Sequence, residues 1–139
     1  MASMLNKNYT TMLNKSKAFS GFSANNLEEV KTFYSDILGL DVRDSSMGIL
    51  ELHLEGDNLL IIYPKPNHVP ATFTVLNFPV DNIVETVDAL TAKGITFLSY
   101  TGDLQTNEKG ICNADGKHEG PKVAWFKDPA GNILSVLED

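Results

Sequence analysis

Two segments carry most of the structural information in this sequence: Phe33-Tyr34-Ser35-Asp36-Ile37-Leu38-Gly39-Leu40 in the first half, and Trp125-Phe126-Lys127-Asp128-Pro129-Ala130-Gly131-Asn132 near the end. The first is the end of an amphipathic helix, because its apolar residues recur at helical spacing and Gly39 follows where a left-handed cap is needed. The second is a turn between two strands, since Pro129 fixes one backbone position and Gly131 accepts a positive φ at another. The two segments therefore predict a chain that mixes helices and strands.

The pattern of the first half recurs in the second. Leu38-Gly39-Leu40 matches Lys93-Gly94-Ile95 at a lag of 55 residues (94 minus 39). Each glycine ends a predicted helix, the first capped by Asn26 and the second by Asp81 or Asn82. An internal duplication of a β-α-β-β-β unit explains both halves. The predicted strands are 17–24, 40–43, 49–55 and 58–63 in the first half, with Gly56-Asp57 as a hairpin turn, and 71–80, 95–100, 122–127 and 132–137 in the second.

The length of the chain predicts one domain. At 139 residues it can bury a core of its own without a disulfide or a structural metal. Residues 1–16 are polar and weakly patterned, which favours a flexible N-terminal tail over an arm that docks on a partner subunit. Residues 17–139 then form a single domain of two modules, about 17–66 and 71–138.

Charge and cysteine content restrict the function. The net charge of −7 argues against nucleic-acid binding, because it removes the attraction to phosphate that dominates such affinity. No segment is long and apolar enough for a membrane span. Cys112 is the only cysteine, so an internal disulfide is impossible and a reducing, cytoplasmic location is the simpler expectation.

The two segments quoted first resemble the "FY...LGL" and "F.DP.GN" motifs of the vicinal-oxygen-chelate (VOC) superfamily, which includes glyoxalase I, bleomycin-resistance proteins and extradiol dioxygenases. Val80-Asp81-Asn82 also looks like the strand-to-helix junction of the second half of these proteins. The resemblance covers about residues 17–138. It implies an α+β fold in which two βαβββ modules form a curved mixed sheet, a half-barrel cup with the helices outside.

Catalytic members of this family hold a divalent metal with His and Glu side chains that point into the cup. By resemblance, the four ligand positions fall at Phe19, near Ile61, at Val75 and at Ser135. Three of these are apolar, and a neutral Ser hydroxyl is a poor ligand for Zn, Ni or Fe. We therefore expect no metal and no other cofactor.

A metal-free cup predicts a binding protein. Relatives that lack the metal sequester a small molecule, so we expect a bleomycin-resistance-like protein that binds a drug or another small molecule, as a homodimer. For the aromatic residues of the cup, ordinary core packing is the alternative. The expected ligand-binding residues are Phe19, Ser23, Ile61, Tyr63, Phe73, Val75, Asn77, Tyr100, Trp125 and Ser135.

Whether the protein is an enzyme stays open at this stage. His53 and Glu51 lie two residues apart, on the same face of a predicted strand. They could hold a relocated metal or form a cofactor-free acid-base pair, giving a glyoxalase- or dioxygenase-like enzyme. A solvated strand face explains them equally simply. His68 and His118 are expected at the surface, and the segment 101–121 is expected to be a loop, either a lid over the cup or a dimer contact.

Overall fold

A computed structural model describes residues 11–139, and the first ten residues of the predicted tail lie outside the described part. Two short 3-10 turns occur at Leu13–Lys15 and Gly102–Leu104. The remaining elements, in chain order, are β1 (Ser20–Ala24), α1 (Leu27–Thr32) with a π-helical turn at Phe33–Ile37, β2 (Asp41–Asp44), β3 (Leu50–Leu54), β4 (Asn58–Pro64), β5 (Thr74–Pro79), α2 (Ile83–Ala92), β6 (Ile111–Cys112), β7 (Lys122–Lys127) and β8 (Ile133–Glu138).

The two halves have the same connectivity. The first four strands form a sheet of order β1-β4-β3-β2, and the last four form a sheet of order β5-β8-β7-β6. In each sheet the first and last strands of the module pair in parallel and the other pairs are antiparallel. The predicted α+β fold of two βαβββ modules is confirmed. The sheets remain separate, because β1 and β5 are edge strands that do not pair with each other.

Local sequence signals set the ends of both helices. The Asn26 side chain accepts a hydrogen bond from the backbone N–H of Glu29 at 3.2 Å, and Asn82 does the same for Glu85 at 3.1 Å. Asn82, rather than Asp81, is therefore the second cap. These bonds satisfy backbone donors that a helix leaves free in its first turn.

One hydrophobic core joins the two modules. Side chains from β1, β3 and β4 pack in the same cluster as those from β7, β8 and α2. The Phe33 ring lies 5.2 Å from the Tyr34 ring and 6.4 Å from the ring of Phe126, which belongs to the second module. The helices pack against the core side of the sheets. The opposite side of each sheet is left for a site.

The outer strand of the second sheet differs from the prediction. The segment 95–100 forms only an isolated bridge, between Phe97 and Phe126, and the strand beside β7 is β6, inside the predicted loop 101–121. Phe97 and Ile111 thus share the edge of β7, one opposite Phe126 and the other opposite Ala124. Edge pairing depends on which segment reaches the neighbouring strand, which local alternation does not encode.

Candidate ligand-binding site

A buried turn between β7 and β8 holds the two modules together at one end of the site. The Asp128 carboxylate, 4% exposed, accepts hydrogen bonds from the Tyr34 hydroxyl (2.7 Å), from the backbone N–H groups of Ala130 (2.8 Å) and Asn132 (3.0 Å), and from the Asn132 side chain (3.0 Å). Asn132 also donates to the carbonyl of Ser23 on β1 at 3.0 Å. Burial, together with the neighbouring Asp128 charge, raises the pKa of Tyr34 far above its ordinary value.

His68 makes a second link between the modules. Its Nε2 lies 2.9 Å from the carbonyl oxygen of Ala130, and its Nδ1 lies 2.7 Å from the hydroxyl of Ser23. Because a carbonyl only accepts, Nε2 carries the proton and Nδ1 accepts from the serine in neutral His68. His68 lies in a loop as expected but is partly buried by these contacts, whereas His118 is exposed.

A hollow of about 380 Å³ lies between β1 and β5. Phe73, which is 67% exposed, and Tyr63 supply aromatic surface there, and the polar side chains in the lining are Ser23, His68 and Asn132, which are hydrogen-bonded within the fold. Gly21 lies in one wall, where the Ile61 side chain on β4 packs so closely that a Cβ on residue 21 would lie 2.7 Å from Cγ1 of Ile61. The lining consists of Ser20, Gly21, Phe22, Ser23, Tyr63, His68, Val69, Ala71, Phe73, Thr74, Val75 and Asn132.

We call the side of each sheet that faces away from the core its open face. Strand alternation assigns these residues, since their neighbours along the chain are buried in the core. The open face of the first sheet carries Gly21, Ser23, Asp41, Arg43, Glu51, His53, Leu59, Ile61 and Tyr63. That of the second sheet carries Asn77, Cys112, Val123, Trp125, Lys127, Ile133, Ser135 and Leu137.

Ionisable side chains cluster on the open face of the first sheet. Glu51 is 2% exposed, and its Oε1 lies 2.9 Å from Nε2 of His53. On the adjacent strand, Arg43 donates two hydrogen bonds to the Asp41 carboxylate, at 3.1 and 2.8 Å. These bonds hold the pKa of Asp41 below its ordinary value and raise that of Arg43. The expected proximity of Glu51 and His53 is thus present, with an arginine-aspartate pair beside it.

The open face of the second sheet is neutral at its centre. The buried Ser135 hydroxyl donates to Oδ1 of Asn77 at 2.5 Å. The rings of Tyr100 and Trp125 meet edge to face with their centroids 5.4 Å apart. Val75 is displaced from the predicted alternation by an irregularity in the β5–β8 register between Thr74 and Leu76, so Thr74 rather than Val75 pairs with Ile133.

The residues at the four metal positions that the resemblance implies do not fit a metal. Phe19 precedes β1, Ile61 and Val75 are apolar, and the Ser135 hydroxyl is engaged with Asn77. In residues 11–139 no group of three or more His, Cys, Asp or Glu side chains is arranged to hold a metal ion.

The expected ligand-binding residues separate into three groups. Ser23, Tyr63, Phe73 and Val75 line the hollow together. Asn77 and Ser135 form the hydrogen-bonded pair of β5 and β8, and Tyr100 and Trp125 form the aromatic pair. Phe19 and Ile61 are not part of the lining of the hollow.

Sequence reasoning missed His68 and Asn132 as lining residues. His68 lies in the segment between the modules, where no periodicity indicates a direction. Asn132 was recognised only as part of a turn, and its side chain reaches β1 across 109 positions of the chain. No signal in the sequence marks either contact.

The chain belongs to the Glyoxalase/Bleomycin resistance protein/Dioxygenase superfamily, whose family model matches residues 20–136. No curated protein matches the sequence significantly. Within the part of the chain that the structure describes, no helix is long and apolar enough to cross a membrane.

Solved structures of low sequence identity share the fold. A putative glyoxalase family protein from Bacillus anthracis is 19% identical with a TM-score of 0.67, over 96% of this chain and 98% of that one. A bleomycin-binding protein complexed with bleomycin is 20% identical with a TM-score of 0.62, over 90% and 99%. The fosfomycin resistance protein FosX from Listeria monocytogenes is 12% identical with a TM-score of 0.64, over 88% and 90%.

Proposed function

We propose that this protein binds a small organic molecule in the hollow between β1 and β5 without the help of a metal, as a drug-binding or resistance protein does. The observation that carries the proposal is the hollow itself. Its volume of about 380 Å³ falls within the range of about 300–1,000 Å³ that is usual for ligand sites, and its lining is mainly apolar with a few polar groups. Such a lining offers apolar contact to a ligand and orients it with few hydrogen bonds.

The kinship supports a binding role in particular. The bleomycin-binding protein covers nearly the same length of fold and holds its antibiotic in the solved complex. The domain proposed here for residues 17–139 corresponds to that length. A homodimer follows from kinship and from the unpaired outer edges of the two sheets, which are common sites of association. The single cysteine, Cys112, accords with a cytoplasmic location.

A binding experiment tests the proposal. Isothermal titration calorimetry of the full chain with bleomycin and with the neutral aromatic 2-naphthol should give saturable binding for at least one of them. Phe73→Ala should weaken that binding about tenfold, since it removes a ring from the lining. Leu104→Ala is the control, because Leu104 is also a largely exposed apolar side chain, 51% exposed, but lies outside the hollow. The proposal fails if neither probe binds or if both variants act alike.

Metal content is tested separately. Elemental analysis of protein purified without chelator should find far less than one Zn, Ni, Fe or Mn per chain, because the family positions lack donors. Stoichiometric metal that is lost in His53→Ala would instead support the relocated-metal enzyme. The 2.9 Å contact between His53 and Glu51 is the one observation that favours that second function.

A further inference from the structure

The buried carboxylate on β3 has hydrogen-bonding capacity that the fold leaves unused. An ionised carboxylate accepts about four hydrogen bonds, and in residues 11–139 the structure gives Glu51 one partner, His53. Arg43, opposite Glu51 on β2, directs its guanidinium to Asp41 instead. Burying a charge with one hydrogen-bond partner costs stability, and the nearby Arg43 charge offsets this cost only through space.

One oxygen of this carboxylate still reaches the surface. No side-chain nitrogen or oxygen that is fully buried within residues 11–139 lacks a hydrogen-bond partner. The Oε1 atom of Glu51 is paired with His53, so the second oxygen, which takes no hydrogen bond, must retain contact with the exterior. That oxygen is available to a donor that arrives on the open face.

The carboxylate lies in line with the hollow. Glu51 pairs with Ile61 on β4, and Ile61 pairs with Gly21, which lines the hollow. Three adjacent strands place Glu51 about 10 Å from Gly21, at two strand spacings. The Ile61 side chain lies against Gly21 and forms the apolar surface between them, so a flat group lying across Ile61 would connect the hollow with the carboxylate.

The charge of this cluster favours a cation. When His53 is neutral, the carboxylates of Asp41 and Glu51 stand against the single guanidinium of Arg43, which leaves one net negative charge. The chain as a whole carries −7, so long-range attraction acts in the same direction. Because His53 occupies Oε1, a planar nitrogen cation can donate a charge-assisted hydrogen bond to the second oxygen of Glu51.

We propose that Glu51, held by His53, is the polar anchor of the binding site and takes an amidinium or guanidinium group of a flat ligand. The anchor rests on the proposed function, because it extends the same site along the open face. It names the chemical class of the ligand: an aromatic or apolar body in the hollow, with a planar cation at one end.

Three isosteric probes test the anchor: benzamidine, neutral benzamide and anionic benzoate, titrated into the full chain at pH 8, where histidine is ordinarily neutral. Chemical shifts of the backbone amides are followed by NMR. Benzamidine should bind at least about tenfold tighter than benzamide and shift the amides of Glu51 and His53, as a charge-assisted hydrogen bond predicts. Benzoate should bind weakest.

Glu51→Gln should remove this preference, whereas Glu55→Gln, which deletes the same charge from an exposed position in the turn directly after the strand of Glu51, should keep it. Thermal unfolding confirms that the variants are folded, and the comparison of the three probes on the unchanged protein needs no variant at all. Equal affinities for benzamidine and benzamide, no binding of benzamidine, or a preference that survives in Glu51→Gln each overturn the anchor. Binding of 2-naphthol or bleomycin would still stand in those cases, so the two proposals fail separately.

Discussion

The open faces of the two sheets carry different chemistry at equivalent positions. Across the first sheet, Glu51 stands beside Ile61, and Ile61 stands beside Gly21. Across the second sheet, the corresponding places are taken by an indole, a hydroxyl and an amide, those of Trp125, Ser135 and Asn77. Alternate residues of the same strands pack in one common core. The core-facing residues therefore preserve the duplicated topology, and the open-face residues are free to diverge and to make one half charged and the other aromatic.

The largest expected effect concerns the link that makes both faces part of one folded unit. Asp128→Ala would leave the Tyr34 hydroxyl, the Asn132 amide and two backbone N–H groups without their acceptor. Each buried group left unpaired costs about 1–3 kcal/mol, so the free energy of unfolding should fall by about 3 kcal/mol or more. Denaturant titration followed by circular dichroism measures it.

Asp103→Ala, at an exposed position, is the matched control and should change stability by less than about 0.5 kcal/mol. If the Ala variant does not fold, Asp128→Asn, which keeps part of the acceptor set, should give a smaller loss. Two separate transitions, or a loss no larger than in the control, would show that the modules do not depend on this turn.

The next prediction compares the open-face residues that lie side by side across the first sheet with those across the second sheet. Gly21→Ala places a Cβ 2.7 Å from Cγ1 of Ile61, so the variant should lose about 1–3 kcal/mol through overpacking. Adding Ile61→Ala should recover most of that loss. In the second sheet, Asn77→Ala removes the acceptor of the Ser135 hydroxyl, and because Asn77 is itself exposed, water can replace its amide and keep the loss at about 1 kcal/mol. Equilibrium unfolding of the four proteins would contradict the close packing of the first row if Asn77→Ala were the more harmful single substitution.

The smallest expected effect is the change in the free energy of unfolding with pH that Tyr34 causes. Tyr34 belongs to the first module and donates a hydrogen bond to Asp128 in the turn between β7 and β8. Its pKa is raised in the folded state by burial and by Asp128. The unfolded chain therefore releases this proton first, near the ordinary pKa of about 10. Stability is fully present below that pH and falls above it, by up to about 1.4 kcal/mol per pH unit.

Unfolding free energies measured from pH 9 to 11.5 give this slope. Tyr34→Phe should reduce it, although the variant starts from a lower stability because the bond to Asp128 is lost. Tyr63→Phe, at an exposed tyrosine, should keep the slope. An equal slope in the wild type and Tyr34→Phe would mean that other groups govern alkaline unfolding.

Much of the fold could be read from the sequence because the signals are local. The Asn26 and Asn82 caps act within three residues, and Gly56-Asp57 adopts the positive φ angles of a tight hairpin. The outer strand of the second sheet was missed for the opposite reason. The segment after α2 makes a single bridge to β7, between Phe97 and Phe126. The rest of that edge of β7 pairs with Ile111–Cys112, which lies farther along the chain.

The site was less predictable. Alternation predicted that Ser23 and Tyr63 share one face, and both line the hollow, because a regular strand has a fixed period. The regular period is interrupted between Thr74 and Leu76, although Val75 still lines the hollow, and no pattern in the chain predicts this shift of register. The pairing of Arg43 with Asp41 and the contacts of His68 arise from side chains that meet only in the folded protein.

Trp125 is the only tryptophan of the chain, and its position gives the protein a built-in optical reporter. The indole lies on the open face of the second sheet against Tyr100, so a ligand that covers this half changes the polarity around the only strong emitter. A ligand confined to the charged half leaves the emission nearly constant. Unlabelled protein in a fluorimeter can thus indicate which half a compound occupies.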